Sequence, residues 1–302
     1  MDLEQIRAFM NVASLKSFSE AAEKMFISQP SVSVRIKALE EELGVLLFDR
    51  SKAREPVLTE AGRTFLDYAY SIINLQDECR EKLSGQREQA AGLIYVGAST
   101  VPGTYLLPAL LAGFIEKSTN IEFNVNILDT SAVLEGIMNY SYDLGLVGLV
   151  KEEERLTFVE LADDELVLCT RPGLIPQAEN DQGVSVALLF EHHILMREKG
   201  SATRQLLEKK LLENNFDISD LPGITYINNL EGIKQAVRTG LGVAVISKLS
   251  VRELVSAGAV DIFPINDLDL SRRLYLVYHR NRVLSGAAMN FRDYIQKKHD
   301  CP

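Results

Sequence analysis

The polar groups best placed to do chemistry are short hydroxyls and amides, set where strand-like apolar runs stop and helix-like runs begin. Ser99 and Thr100 follow the run Leu93 to Ala98. Asp129, Thr130 and Ser131 follow Ile121 to Ile127, where apolar and polar residues alternate. Gly200-Ser201-Ala202-Thr203-Arg204 opens another helix pattern, and Asn228-Asn229 a further one. In open α/β sheets ligands sit beyond the carboxyl ends of strands, where free N–H groups at helix N-termini favour anions. Ser99, Thr100, Thr130, Ser131, Gly200, Ser201, Thr203 and Asn229 would therefore hydrogen-bond a small anionic metabolite. Arg204 would add a charge-assisted contact. Any one of these residues reads equally well as a helix cap. Their recurrence at one topological place, with an arginine, favours an effector-binding site.

Catalytic and metal chemistry has little support. His192 and His193 are neighbours and do not share a helix face, so they make a poor metal pair. No phosphate loop, nucleophile elbow or Cys-x-x-Cys occurs. No catalytic residue, metal site or cofactor is expected. Asp163-Asp164-Glu165 reads as a solvated crossover between lobes, or a hinge, rather than an acid/base pair. His279 reads as structural.

A second polar set lies near the N-terminus. Ser17 followed by Glu20 is a capping box, and Phe18, Ala21, Ala22 and Met25 then share a helix face. Ser28 caps a second helix with Pro30 in its first turn. Val32, Ile36, Leu39 and Leu43 give that helix a buried stripe, and Gly44 ends it. The opposite face carries Gln29, Pro30, Ser31, Ser33, Val34, Arg35 and Lys37. Short polar and basic groups of this kind reach base edges and phosphates from a helix in a major groove. Gln29, Ser33 and Arg35 are expected to point into the groove. A short strand at Leu46 to Phe48, a polar turn and a return at Val57-Leu58 predict a wing, with Arg50, Lys52 and Arg54 on DNA backbone or in the minor groove.

Gln29-Pro30-Ser31-Val32-Ser33, Leu39-Glu40, Gly44-Val45-Leu46-Leu47-Phe48-Asp49-Arg50 and Leu58-Thr59-Glu60-Ala61-Gly62 closely resemble the N-terminal domain of LysR-type transcriptional regulators. That family often has Arg-Gln where this chain has Val34-Arg35, a departure that bears on which site is preferred. The resemblance implies a winged helix-turn-helix, a dimerising linker helix and an effector domain sharing its fold with periplasmic binding proteins. It also implies double-stranded DNA as partner and homotetramers built by pairing dimers. Arg197 to Arg204 resembles, over a short stretch, effector-site segments of regulators of sulfur assimilation and carbon fixation.

At 302 residues the chain has room for two or three domains. A net charge of −10 argues against a general polyanion binder. The first 58 residues are not basic: Asp2, Glu4, Glu20, Glu23, Glu40, Glu41, Glu42, Asp49 and Glu55 outnumber Arg7, Lys16, Lys24, Arg35, Lys37, Arg50, Lys52 and Arg54. Arg35, Lys37, Arg50, Lys52 and Arg54 cluster on the second helix and the loop after it, while Glu40 to Glu42 lie at the far end of that helix. Cys79, Cys169 and Cys301 show no disulfide or metal spacing, so a reducing cytoplasm is the default. No signal peptide is readable. The longest apolar stretch, around Tyr105 to Ile115, is too short to span a membrane.

The fold class expected is α/β. Residues 1–58 form the winged helix-turn-helix, with Leu3, Ile6, Phe9, Met10 and Ala13 facing inward on a first helix. Residues 59–90 form a linker helix in which Phe65, Tyr68, Ile72, Leu75 and Cys79 repeat at the spacing of a coiled-coil seam. Residues 91–302 form an effector domain with a mostly parallel sheet. Its first lobe comprises about 91–163 and 268–302, its second about 164–267. A single helix is expected from Thr104 to Lys117. Two other classes stay open: a DNA-binding protein with a ligand-blind C-terminal domain, and an enzyme or transport receptor on a binding-protein fold.

Overall fold

The computed structural model describes residues 1–49, 56–83, 92–118, 120–176 and 183–299. The chain opens with α1 (Leu3–Leu15), α2 (Phe18–Lys24) and α3 (Gln29–Leu43), then a two-stranded wing of β1 (Phe48–Asp49) and β2 (Val57–Leu58). The capping box falls at Asp2/Gln5 on α1, while Ser17 accepts only the Glu20 N–H. Ile6, Ala8, Phe9 and Val12 of α1 meet Val32, Ile36 and Leu39 of α3 in one apolar core. Met10 and Ala13 are only half-buried against it. Leu43 does not complete the stripe: it is exposed at the end of α3.

Two further departures come from the same region. Glu40 is not part of a solvated acidic end. It is 4% exposed, and its Oε1 accepts from the N–H groups of Leu47 (2.8 Å) and Phe48 (3.2 Å). A carboxylate is buried because it satisfies backbone donors that enter the wing. The first wing strand begins at Phe48, two residues later than the apolar pattern suggests, with Leu46 exposed.

Thr59 accepts from Gly62 N–H at 2.9 Å and opens α4 (Glu60–Leu83). Gly62 is required there, since a Cβ would lie 2.1 Å from the Leu47 carbonyl oxygen. Leu66, Ala69 and Ile73 turn into the head's core. Of the expected seam, Phe65 and Ile72 are half-buried against that same core, whereas Tyr68, Leu75 and Cys79 are exposed.

The remainder runs β3 (Gly92–Ser99), α5 (Thr100–Tyr105), α6 (Leu107–Ile115), β4 (Ile121–Leu128), α7 (Thr130–Met138), β5 (Leu144–Val147), β6 (Leu156–Thr170), β7 (Ile194–Met196), α8 (Ala202–Glu213), β8 (Ile224–Tyr226), α9 (Leu230–Arg238), β9 (Ala244–Ser247), α10 (Arg252–Ser256), β10 (Asp261–Phe263), β11 (Ser271–His279) and α11 (Gly286–His299). The single helix expected from Thr104 is two, broken at Leu106. Pro108 follows the break, where its missing N–H is harmless in a first turn but not inside a helix.

The sheet is mixed rather than mostly parallel. Strand order is β10-β6-β11-β5-β3-β4, with β9 also on β6. Among the described strands β3 pairs parallel with β4 and β5, as β7 does with β8 in a separate pair, and isolated parallel bridges join Val184 to Ile265 and Ile194 to Val243. The reason is β6, a 15-residue strand whose first part pairs antiparallel with β11 and whose last part pairs antiparallel with β9 and β10. The apolar clusters divide accordingly. Ile94, Val96, Leu144, Leu146 and Phe291 fill one lobe; Leu166, Leu168, Ile194, Val245 and Phe263 fill the other.

The linker helix leans on the first lobe through aromatic rings. Tyr70 stacks on Tyr140 with centroids 4.4 Å apart, and the Arg282 guanidinium sits over both rings. Arg282 also pairs with Asp143. Tyr140 OH lies 3.2 Å from Nδ1 of His279, which is 1% exposed at the end of β11.

Candidate functional site

At the head, Ser28 accepts from Ser31 N–H, and its Oγ lies 2.8 Å from that of Ser31. Gln29 donates to Ser33 Oγ at 3.3 Å, which orients both on the outer face of α3. Pro30, Ser31 and Lys37 are exposed on that helix. Arg35 does not reach outward as expected; its Nη1 pairs with Glu4 Oε2 at 2.9 Å, across to α1. Lys37 pairs with Glu41 at 3.5 Å. Arg50, Lys52 and Arg54 lie outside the described residues.

Between the lobes, Ser99, Thr100, Thr130, Ser201 and Thr203 converge on one small cavity with Asp129, Gly148, Arg197 and Arg272. Ser99 ends β3 and Thr100 starts α5 on one side. Ser201 caps α8 and Thr203 lies in its first turn on the other. This cavity holds about 20 Å³, room for about one water. It stands beside a second cavity of about 630 Å³ lined by Thr100, Asp129, Arg197, Asn228 and Asn229 among others. Asn229 lines that space while its Oδ1 accepts from Gly232 N–H as the cap of α9.

The cations of the site are Arg197 and Arg272, not Arg204. Arg204 Nε pairs with Glu208 at 2.6 Å and its guanidinium covers the Tyr226 ring at 4.5 Å, so it lines neither cavity. Arg197, 5% exposed, pairs with Glu198 and donates from Nη2 to Thr100 Oγ1 at 3.1 Å, bridging the lobes. Arg272 pairs with Asp164 at 2.8 Å, and its Nη1 donates to Thr203 Oγ1 at 3.2 Å. Burial pushes the Arg272 guanidinium below its ordinary value, and Asp164 opposes the shift. Asp164 also accepts from Ser247 Oγ at 2.7 Å. The three acids lie within β6 rather than in a solvated crossover: the Asp163 side chain is 90% exposed, Glu165 is 41% exposed and pairs with Lys248, and the Asp164 carboxylate is wholly buried. In register, Asp164 lies opposite Arg272 and Asp163 opposite Arg273. The acidic run of β6 facing the Arg-Arg pair of β11 was the sequence signal for this site.

Ser131 and Gly200 make a lobe contact beside these cavities, and Ser131 also lines a separate cavity of about 530 Å³ with Thr130 and Gln205. Ser131 N–H donates to the Gly200 carbonyl at 3.3 Å. Gly200 is needed for the approach, since a Cβ would sit 2.4 Å from Asp129 Oδ1. The Thr130 hydroxyl is buried with no hydrogen-bond partner, and the residue borders the small cavity.

Among the described residues no group of three His, Cys, Asp or Glu side chains could hold a metal ion. Burial pushes the Cys169 thiol up to about 12, so it is inert as a nucleophile. His193 Nε2 lies 2.8 Å from Thr225 Oγ1, a structural contact between β8 and the segment before β7. Among the described residues, no helix is long and apolar enough to cross a membrane.

Residues 3–63 match the family model of the bacterial regulatory helix-turn-helix protein, lysR family, and residues 87–300 match the LysR substrate binding domain. The chain is similar to the RuBisCO operon transcriptional regulator of Allochromatium vinosum, 34% identical over 302 residues and covering 98% of this chain and 95% of that one. The fold is similar to full-length OxyR from Pseudomonas aeruginosa, a point variant, with a TM-score of 0.74 and 23% identity over 100% of this chain and 95% of that one. It is also similar to the Synechocystis PCC6803 CcmR regulatory domain in complex with 2-PG, with a TM-score of 0.61 and 25% identity over 70% of this chain and 98% of that one. A helix-turn-helix head with its reading face outward, joined to two lobes around a polar cleft, carries both family models in order: the chain belongs to the LysR family of DNA-binding transcriptional regulators.

Proposed function

We propose that this regulator senses a small anionic metabolite between its lobes, and that the metabolite shifts its affinity for an operator. The observation that carries the reading is the convergence of Arg197, Arg272 and the hydroxyls of Ser99, Thr100, Ser201 and Thr203 on one cleft. Guanidinium forks and hydroxyls suit carboxylate or phosphate. The CcmR domain was solved with 2-PG (2-phosphoglycolate), an acid of that kind. Thr100 Oγ1 now accepts from Arg197, so a ligand anion would replace one lobe-bridging contact by several. Only a difference in affinity between two lobe arrangements can drive a switch. No resident cofactor is required on this reading, and the site of action is the cytoplasm, with its DNA.

The test is calorimetry of the full-length protein with 2-phosphoglycolate and other small phosphorylated or carboxylic acids, alongside operator footprints. Thr100→Val should weaken the responding acid about tenfold, the loss of one charge-assisted hydrogen bond. Silence toward every acid, with unchanged footprints, would instead indicate a DNA-binding protein with a ligand-blind C-terminal half.

The outward face of α4 supports a homodimer, with tetramers formed by pairing dimers. Tyr68 and Leu75 are 65% and 61% exposed, large apolar areas for a free helix. Leu75→Asp should leave the core of the head intact, because Leu66, Ala69 and Ile73 carry it. Ile72 is a poorer probe, being packed against its own head. Sedimentation equilibrium should show dissociation at concentrations where the parent is dimeric. A Leu75→Asp chain that remains dimeric through α4 would remove this face from the interface.

A further inference from the structure

The residue directly opposite the buried stripe of the recognition helix is apolar. At about 100° per residue, Val34 lies about 160° from both Val32 and Ile36, directly opposite the buried stripe of α3. It is 67% exposed, while Val32 and Ile36 are at most 1% exposed. Its neighbours along the outer ridge are Pro30, four residues before, and Lys37, three after, both exposed. The polar groups stand to either side. Gln29 and Ser33 are joined to each other on one flank, and Arg35 on the other is drawn back to Glu4. A β-branched residue gains nothing for a helix on a solvated face. The residue at the centre of the exposed face of α3 is therefore a valine with no hydrogen-bonding group.

In the major groove, base edges offer donors and acceptors, and thymine alone adds an apolar group, its C5-methyl. A valine pressed against the other edges would desolvate a donor or acceptor and return no partner. We infer that Val34 reads a thymine methyl at the centre of each half-site, so that this position specifies its base by apolar contact and exclusion rather than by hydrogen bonds. Gln29 and Ser33 would then read the neighbouring pair. The inference rests on α3 lying in the major groove with this face down.

The experiment separates that placement from the contact itself. Duplexes are selected from a random library by the full-length protein, which asks whether the head reads sequence at all. The selected site is then resynthesised with deoxyuridine in place of one thymine at a time. Deoxyuridine keeps every hydrogen-bonding group of thymine and lacks only the methyl. One position per half-site should bind the parent protein about fourfold more weakly, the worth of one buried methyl-sized group. Val34→Ala should show no penalty at that position and an unchanged penalty at every other. Circular dichroism of the variant should superpose on the parent, as expected for an exposed site. A penalty that persists in Val34→Ala, or a selected site with no methyl-sensitive position, overturns the inference. Failure to enrich any sequence would sink the groove placement as well.

Discussion

Arg272→Ala should cost the effector domain about 3–5 kcal/mol and abolish the response to its effector, because it strands the buried Asp164 carboxylate without its cation. The pair is deeply buried, with side chains 6% and 0% exposed. Ser247 alone would remain on the carboxylate. The same change removes the donor to Thr203 and one of two guanidiniums in the cleft. Stability and binding can be separated. Replacing both partners, Arg272→Met with Asp164→Leu, should recover most of the stability, since buried pairs are often matched by apolar residues of similar size. It should recover none of the effector binding. Urea unfolding and calorimetry on both variants check this. An Arg272→Ala protein with parental stability would mean that Asp164 is satisfied by other means. A double variant that still binds effector would move the anion site away from Arg272.

Glu40→Ala should cost the head about 2–4 kcal/mol, from two N–H groups left without an acceptor beneath the wing. Leu47 and Phe48, whose N–H groups it holds, are each 1% exposed, so water is a poor substitute. Glu40→Gln keeps one carbonyl acceptor at the same reach and should lose less than half as much. Because the wing is displaced as a unit, Glu40→Ala should weaken specific and random DNA alike, unlike a loss at Gln29 or Val34. Thermal unfolding and binding to both kinds of DNA read the two effects. A stability change below about 0.5 kcal/mol would mean the carboxylate is incidental.

The reading head was legible because its signals are local. Ser28, Pro30 and Gly44 mark the ends of α3 by chemistry confined to a single turn, and Val32, Ile36 and Leu39 repeat at helical spacing. In the effector domain the runs Leu93 to Ala98 and Ile121 to Ile127 fall within one residue of β3 and β4 for the same reason. What was not legible depends on residues far apart in the chain. Glu40 looks like one of three acids on a polar helix end, and only the return of the wing seven residues later buries it. Arg204 looks like the cation of the site because it opens a helix beside Ser201 and Thr203. Its neighbour Glu208 and the Tyr226 ring hold it away, and the cations come instead from Arg197 and from Arg272, the latter on a strand far later in the chain that pairs with β6. The parallel sheet was a fair inference from strand and helix alternation. It failed at β6, whose charged middle reads as a loop until the opposed arginines of β11 are placed beside it.

The unbroken course of β6 and β11 constrains how this molecule can work as a sensor. Both strands pass from one lobe toward the other as a hydrogen-bonded ladder, from Leu156 opposite His279 to Glu165 opposite Ser271. A door hung on such a ladder cannot swing like one hung on loops, since a wide opening would tear the rungs. It can twist, and the register shift between Leu274 and Tyr275 is the place where a paired sheet most readily does so. The element therefore resembles a torsion spring: short in travel, stiff, and returned to its resting angle when the load is removed. For a sensor built on such a ladder the rotation between lobes would be small, and the 24-residue α4 would have to carry it to the DNA.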